Sequence, residues 1–366
     1  MIFSDYKGEK ISRLGYGLMR LPQTDKGEID RDTAGRLIDI AINGGVNYFD
    51  TAYVYHDGES EEFAGECLAN YPRQSFNLAT KLPGWALMKQ EATEQIFMHQ
   101  LEKCRVDYFD FYLLHSVSEG NIGKYEQYDS YGTLCRFKEQ GLIKNLGFSF
   151  HGPDELFDRM LREYDWDFVQ LQINYYDWER QNAKGKYEKL ALKGIPCVVM
   201  EPVRGGSLHT LNPAARDVLA QAGGGSPASY ALRWTAGLDN AMCLLSGMSD
   251  ERQLVDNLAT FNSPDPLSDN EMQAVNTAGE LFSRDFAVPC TGCRYCVSHC
   301  ANAVAIPEVF AAYNKYCESR NSGDLYSALA SIQGAGAGSC LACGACTPNC
   351  PQGIDIPARL AEIARL

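Results

Sequence analysis

Basic residues are scarce in this chain of 366 residues: 33 Lys and Arg stand against 47 Asp and Glu, for a net charge of −14. That balance argues against a nucleic-acid partner and against an anionic membrane surface, both of which recruit positive charge. No apolar run approaches the ~20 residues that span a bilayer. The opening residues, MIFSDYKGEKI, hold no charged region followed by an apolar stretch, so no secretory signal is expected. No Gly-x-Gly-x-x-Gly follows the first strand-like run, which counts against the dinucleotide-binding form of a doubly wound sheet. Cysteine is thin over most of the chain. Residues 1–289 hold five, each alone (Cys67, Cys104, Cys135, Cys197 and Cys243), as core-filling cysteines are. A cytoplasmic protein without a disulfide framework is the expectation.

What is present is a long alternation of strand and helix patterns. Met1 to Ser12 reads as a hairpin covering the bottom of a barrel. Strand-like runs follow at Leu14–Leu21, Val46–Phe49, Phe76–Thr80, Tyr108–Leu114, Asn145–Phe150, Phe168–Ile173, Ile195–Met200 and Met242–Leu245, with helix-period stretches between them. Met19, Asp50, Lys81, His115 and Ser149 succeed one another at nearly even intervals. Each interval is close to the about 30 residues that a βα unit takes. Eight such units in succession predict a closed (β/α)₈ TIM barrel, with an open doubly wound sheet as the runner-up. The stretch from Met200 to Gly247 exceeds one unit, and the surplus suits a cover over a bound ligand. A Pro/Ser/Asp-rich connector, NSPDPLSD, ends the pattern. The boundary is expected near residue 285, giving a barrel over 1–284 and a small, mostly helical ferredoxin-like domain over 285–366.

That second part holds nine of the 14 cysteines. Eight form two runs, Cys290-x-x-Cys293-x-x-Cys296-x-x-x-Cys300 and Cys340-x-x-Cys343-x-x-Cys346-x-x-x-Cys350-Pro351. Three cysteines spaced this way reach three corners of an iron–sulfur cube, and the fourth points to the other cluster. By that pattern Cys290, Cys293, Cys296 and Cys350 hold one 4Fe–4S cluster, and Cys340, Cys343, Cys346 and Cys300 hold a second. Structural zinc is the alternative, although it commonly shows two separated Cys-x-x-Cys pairs. Ala301 stands where proline usually follows the fourth cysteine. The long stretch from Cys300 to Cys340 favours a helical module over a compact ββ one, and Cys317 lies outside both runs.

In the barrel, strand-like runs two, three and four each lead to a polar group: Asp50, with Tyr55 shortly after it, then Lys81, then His115. Singly, each has an ordinary structural explanation. Together, at the face where barrel enzymes keep their chemistry, they suit carbonyl reduction. A phenol with pKa near ~10 is a poor acid at neutral pH, and a lysine ammonium beside it favours the phenolate. Asp50 would orient Lys81, Tyr55 would protonate a carbonyl oxygen as hydride reaches carbon, and His115 would donate to the same oxygen.

Asp50-x-x-x-x-Tyr55, Lys81 in ATKLP and His115 in LLHS resemble the tetrad of the aldo-keto reductases. IKNLGFSF (143–150), VQLQINYY (169–176), SPASYALRW (226–234) and SGMSDERQLVDNL (246–258) are similar to that family's cofactor-side segments. The whole chain resembles the branch with a C-terminal ferredoxin-like module. The resemblance implies a barrel that binds NADPH or NADH without a Rossmann domain. It further implies that Ser149 and Gln172 hold the carboxamide and that Met200 lies on the nicotinamide. By the same resemblance Pro202, Val203, Arg204, Gly205 and Gly206 line the pyrophosphate, and Asp256 and Asn257 meet the adenine. Phe150 and Met200 replace the usual asparagine and stacking aromatic. Gly247 and Gln253 stand where phosphate-selective members carry lysine and arginine, with Arg252 next door, so the choice of dinucleotide stays open.

A small-molecule carbonyl compound is the expected substrate, with Tyr53, Trp85, Phe150, Tyr175, Tyr176 and Trp178 as candidate lining. A hydride carries two electrons and a cluster passes one, so direct coupling calls for a flavin or similar splitter, and no motif identifies one. Three readings follow: a reductase with structural clusters; a relay in which the clusters exchange electrons with the barrel site or with a redox partner protein such as a ferredoxin or flavoprotein; and a redox-sensing nucleotide-binding regulator.

Overall fold

The structure is a computed structural model that describes residues 1–262, 265–283, 287–319 and 321–366. The boundary expected near residue 285 lies outside the described residues. The chain groups into two compact units: Met1–Val203 with Ala228–Asp269, and Arg204–Pro227 with Asn270–Leu366. The second unit thus takes in Arg204–Pro227, which the sequence reading placed with the barrel.

The first unit begins with a hairpin of β1 (Phe3–Tyr6) and β2 (Glu9–Ser12). Eight parallel strands follow: β3 (Leu14–Gly17), β4 (Tyr48–Asp50), β5 (Asn77–Pro83), β6 (Phe109–Val117), β7 (Ile143–Phe150), β8 (Phe168–Gln172), β9 (Cys197–Met200) and β10 (Ala241–Ser246). They close in chain order, with β10 pairing β3, so the predicted (β/α)₈ barrel is the observed one. Helices return between strands as each βα unit requires. One spans Arg31–Asn43, where the Asp30 carboxylate accepts the Thr33 N–H as N-cap. The hairpin lies under the barrel: Ser4 Oγ donates to the Met242 carbonyl, and the Tyr6 hydroxyl reaches Asn145 Oδ1 and the Asp167 carbonyl.

The period of two sorts the wall. Phe49, Leu78, Leu82, Tyr112, Leu114, Phe148 and Phe150 join the core shared with the surrounding helices. Tyr48, Ala79, Phe111, Leu113, Phe168 and Val198 form a separate packed cluster, as the inward-facing side chains of a filled barrel do. Asp50, Lys81 and His115 continue the parity of this inner set.

The second unit is mostly helical. Pro213–Ala222 and Asp269–Ser283 form one part, where Asn212 Nδ2 donates to the Leu281 carbonyl and Asn270 Nδ2 to that of Ala222. The other part carries the cysteine runs, with helices Ile306–Ser319, Ser322–Ala330 and Ile356–Ile363 and one isolated bridge between Val304 and Ala335. Its apolar core is small and includes Val304, Ile306, Phe310, Ile354, Ile356 and Leu360 together with Cys296 and Cys346.

Candidate active site and thiolate sets

Asp50 closes β4, and Lys81 and His115 lie inside β5 and β6 rather than beyond them. Both strands run further than the sequence pattern predicts, to Pro83 and Val117 rather than Thr80 and Leu114. β5 continues to Pro83, which pairs with His115, so both side chains project from the wall itself. The β6–β7 register shifts between Leu114 and Val117, and Ser116 has φ 53°. His115 therefore sits at a bulge, a device that re-aims a side chain. The Tyr125 hydroxyl fixes this corner: it accepts the Gly84 N–H and lies 2.8 Å from the carbonyls of Leu82 and His115.

The four groups converge. Lys81 Nζ donates to Asp50 Oδ1 at 2.6 Å, to the Thr51 carbonyl at 2.7 Å and to the Tyr55 hydroxyl at 3.3 Å. It also lies 4.8 Å from the Tyr55 ring centroid. The Tyr55 and His115 rings meet edge-on at 6.1 Å, and Trp85 lies 5.1 Å from His115. Tyr55 begins a 3-10 turn in which His56 and Asp57 have φ of 51° and 54°, backbone that non-glycine residues seldom adopt.

Burial sets the charges. It raises the Asp50 carboxyl above its ordinary value and lowers the Lys81 ammonium, while the charge of each partner pulls the other back. His115 is held well below the usual histidine value, first by burial and then by Lys81 and His151. It is a neutral imidazole at physiological pH, able to donate one N–H.

Behind β5 lies a network with no signal in the sequence reading. Glu61, wholly buried on helix Ser60–Leu68, accepts from Thr80 Oγ1, Gln100 Nε2 and Lys103 Nζ. Gln100 also donates to the Lys81 carbonyl at 3.1 Å and accepts from the Tyr112 hydroxyl at 2.5 Å. This helix and the one at Ala92–Cys104, which carries Gln100 and Lys103, approach closely at Gly65, where a Cβ would fall 2.5 Å from the Lys103 carbonyl oxygen. A buried Glu on an amphipathic helix reads as an exposed one until its three donors are known.

The proposed nucleotide residues fall on the ends of the later strands and beyond. Ser149 Oγ accepts the Ser116 N–H at 2.7 Å. The Gln172 amide donates to Asp177, and Met200 Sδ accepts from Gln170. Asn174, passed over in the sequence, bridges Asp177 and the Glu201 carbonyl, and Glu201 is ion-paired with Arg20 at 3.2 Å. Pro202 is buried and Val203 half-buried. Gly247 lies against Arg20, while Gln253 is bonded to Ser249 and Asp250. Asn257 donates to Ser246 Oγ, and Asp256 is half-buried. Phe150 belongs to the outer core, on Phe148 and Phe157, because its parity is opposite to that of Ser149. It therefore packs in the outer core rather than lining a pocket. Trp178 packs on Tyr187 and Trp234.

In the second unit Gly205 and Gly206 take φ of 65° and 92°. Arg204 stands just before these glycines. Its guanidinium is buried and donates to the Pro289 carbonyl and to Gln352 Oε1. The cysteine runs are near-copies in constant register, Cys290 answering to Cys340 and Cys300 to Cys350. Positive φ recurs at Gly292 and Ala342, at Arg294 and Gly344, and at Ala303 and Gly353. The 3-10 turns Val297–His299 and Thr347–Asn349 match as well.

The thiols group across the runs. Cys296 is raised by burial and then by the nearness of Cys293, Cys290, Cys350 and Cys346, whereas Cys346 is raised by burial and then by Cys340 and Cys300. The Gly292 and Ala342 N–H groups donate to the sulfurs of Cys290 and Cys340. Among the described residues no three His, Cys, Asp or Glu side chains are gathered tightly enough for a single metal ion. Thiols from both runs thus neighbour one another, and with backbone N–H groups beside two of the sulfurs they are donors of the kind that suits iron–sulfur cubes. Cys317 stands outside both sets on helix Ile306–Ser319.

With this geometry in hand, the chain belongs to the aldo-keto reductase family, a class of oxidoreductases: the aldo/keto reductase family model matches residues 13–280. Residues 289–354 match the 4Fe-4S dicluster domain. An aldo-keto reductase of Mycobacterium sp. (strain MCS) is 29% identical over 278 residues, covering 75% of this chain and 89% of that protein. Among solved structures, an aldo-keto reductase of Bacillus halodurans in its holo form aligns with TM-score 0.62 at 21% identity, over 76% of this chain and 95% of the other. The Klebsiella pneumoniae aldo-keto reductase in complex with NADPH aligns with TM-score 0.63 at 19% identity, again over 76% and 95%. These last likenesses concern the fold. Among the described residues no helix is long and apolar enough to cross a membrane.

Proposed function

We propose that the chain moves hydride between a nicotinamide dinucleotide and the carbonyl carbon of an aldehyde or ketone, in either direction. The observation that carries this reading is Lys81, whose ammonium contacts both Asp50 and the Tyr55 hydroxyl inside one buried cluster. When bound, the nicotinamide supplies or accepts the hydride. Tyr55 gives the carbonyl oxygen its proton, and recovers it in the oxidative direction. Lys81 stabilises the phenolate left behind, and Asp50 fixes the ammonium at that spot. His115, neutral, donates an N–H to the same oxygen and sets its angle. Ser149 and Gln172 hold the carboxamide, Met200 borders the ring, and Pro202, Val203, Gly205 and Gly206 line the pyrophosphate. Asp256 and Asn257 meet the adenine. NADPH finds support in the Klebsiella relative, while Gly247 and Gln253 offer no charge to a 2′-phosphate, so both dinucleotides belong in the assay.

Cys290, Cys293, Cys296 and Cys350 hold one 4Fe–4S cluster in this reading, and Cys340, Cys343, Cys346 and Cys300 the other. Clusters of this kind supply one-electron capacity, used structurally or in exchange with a redox partner protein. A cytoplasmic setting fits, since unpaired thiols in this number belong in a reducing compartment.

The test is anaerobic oxidation of NADPH and NADH with a panel of aldehydes and ketones, by wild type and Tyr55→Phe. Turnover that falls about 10²–10⁴-fold in the variant is expected. Equal or absent turnover in both would sink the reductase reading and leave a nucleotide-binding regulator. Iron and sulfide analysis should give about eight of each per chain, and zinc in their place would overturn the cluster assignment.

A further inference from the structure

The two halves of the cysteine module match closely, and one difference stands out. In one half Asn302 Nδ2 donates directly to the Ser339 carbonyl at 2.8 Å. The corresponding positions in the other half are Gln352 and Pro289, and there the amide does not reach across alone. The Arg204 guanidinium lies between them, donating to the Pro289 carbonyl at 3.1 Å and to Gln352 Oε1 at 3.4 Å. Pro289 precedes Cys290 and Gln352 closely follows Cys350, so a cation stands beside two thiolates of one set. Arg204 is 1% exposed, so solvent screens it little. The other half has an amide–carbonyl hydrogen bond in that position.

Other features that tune such clusters are shared. Each first cysteine receives one backbone N–H at 3.4 Å, from Gly292 or from Ala342. Each fourth cysteine also receives an N–H from further along the chain, Val304 for Cys300 and Ile354 for Cys350. Arg294, also near the first set, is exposed and ion-paired with Glu308.

From this asymmetry we propose that Arg204 is a positioning residue that makes the two clusters electrically unequal, raising the reduction potential of the one held by Cys290, Cys293, Cys296 and Cys350. The inference rests on the two-cluster reading. Reduction adds one electron and one unit of negative charge to a cluster. A fixed guanidinium beside it stabilises the reduced form more than the oxidised form. Electrons entering the module therefore rest on the Arg204 side.

The experiment is a dithionite titration with redox mediators of the full chain, purified anaerobically and followed by electron paramagnetic resonance. Wild type should give two one-electron waves. Cys293→Ser should alter or remove the one at higher potential, and Cys343→Ser the other. R204Q should shift the higher wave downward by a ten-fold or larger fall in its equilibrium constant, about 59 mV for one electron. The lower wave should stay in place, and R204K should remain near wild type. An unmoved higher wave in R204Q overturns the proposal. So does a wild type whose Cys293-dependent wave is the lower one, a result that decides even if R204Q fails to load iron. Absence of iron and sulfide from wild type is a different failure, that of the cluster reading itself.

Discussion

Lys81 is held by a strand hydrogen-bonded on both sides and backed by the Glu61–Gln100 network. Cys290, by contrast, is held by a turn whose next residues need positive φ at Gly292 and Arg294. The barrel brings Asp50, Tyr55, Lys81 and His115 together through close packing. The cysteine module has a small core, and two of its proposed ligands, Cys296 and Cys346, are part of that core. One site is shaped by the fold, whereas in the other the proposed clusters would contribute to folding.

Removing the clusters is the sharpest way to break this contrast. Chelation of iron from the full chain should unfold the region from about residue 287 onward and leave the barrel intact. All four tryptophans, Trp85, Trp166, Trp178 and Trp234, lie in the barrel unit. Their fluorescence should hold steady while helical circular dichroism falls and proteolysis cuts the tail. A concerted loss of both signals would refute the distinction.

Within the barrel, Lys81→Met should cost about 3–5 kcal/mol in a denaturant titration, because it strands the buried Asp50 carboxylate. Tyr55→Phe should reduce turnover without comparable loss of stability. Glu61→Ala, remote from any substrate, should destabilise by about 3 kcal/mol through its three orphaned donors.

The smallest effect concerns pH. Burial holds His151 down at about 4, and His115 lies well below the ordinary value of 6.5. Below pH 6.5 the unfolded chain takes up protons that the folded chain refuses, so stability falls as pH drops toward 4. With His151 only half-buried, about 1–2 kcal/mol should disappear between pH 6.5 and 5. His151→Asn should flatten that slope, as read by tryptophan fluorescence.

The barrel was legible because its signals are periodic: runs of β-prone side chains recur at about the 30 residues that one βα unit takes. The tetrad was legible as types at strand ends. Their exact footing was not, because Pro83 at the end of β5 looks like a strand breaker and only the bulge at Ser116 explains the aim of His115. Glu61 and Gln100 stayed hidden because burial of a polar side chain depends on partners 19 and 39 residues away. Arg204 sat among glycines in a segment resembling a cofactor loop. Its acceptor Pro289 lies 85 residues on, a separation that local pattern cannot register.

The hairpin under the barrel has its own corollary. With Tyr6 bonded to Asn145 and Asp167, and Tyr48, Phe111 and Phe168 packed above, the cylinder is a vessel stopped at its base. In the proposed reaction, anything that reaches Lys81 would then enter from the opposite rim.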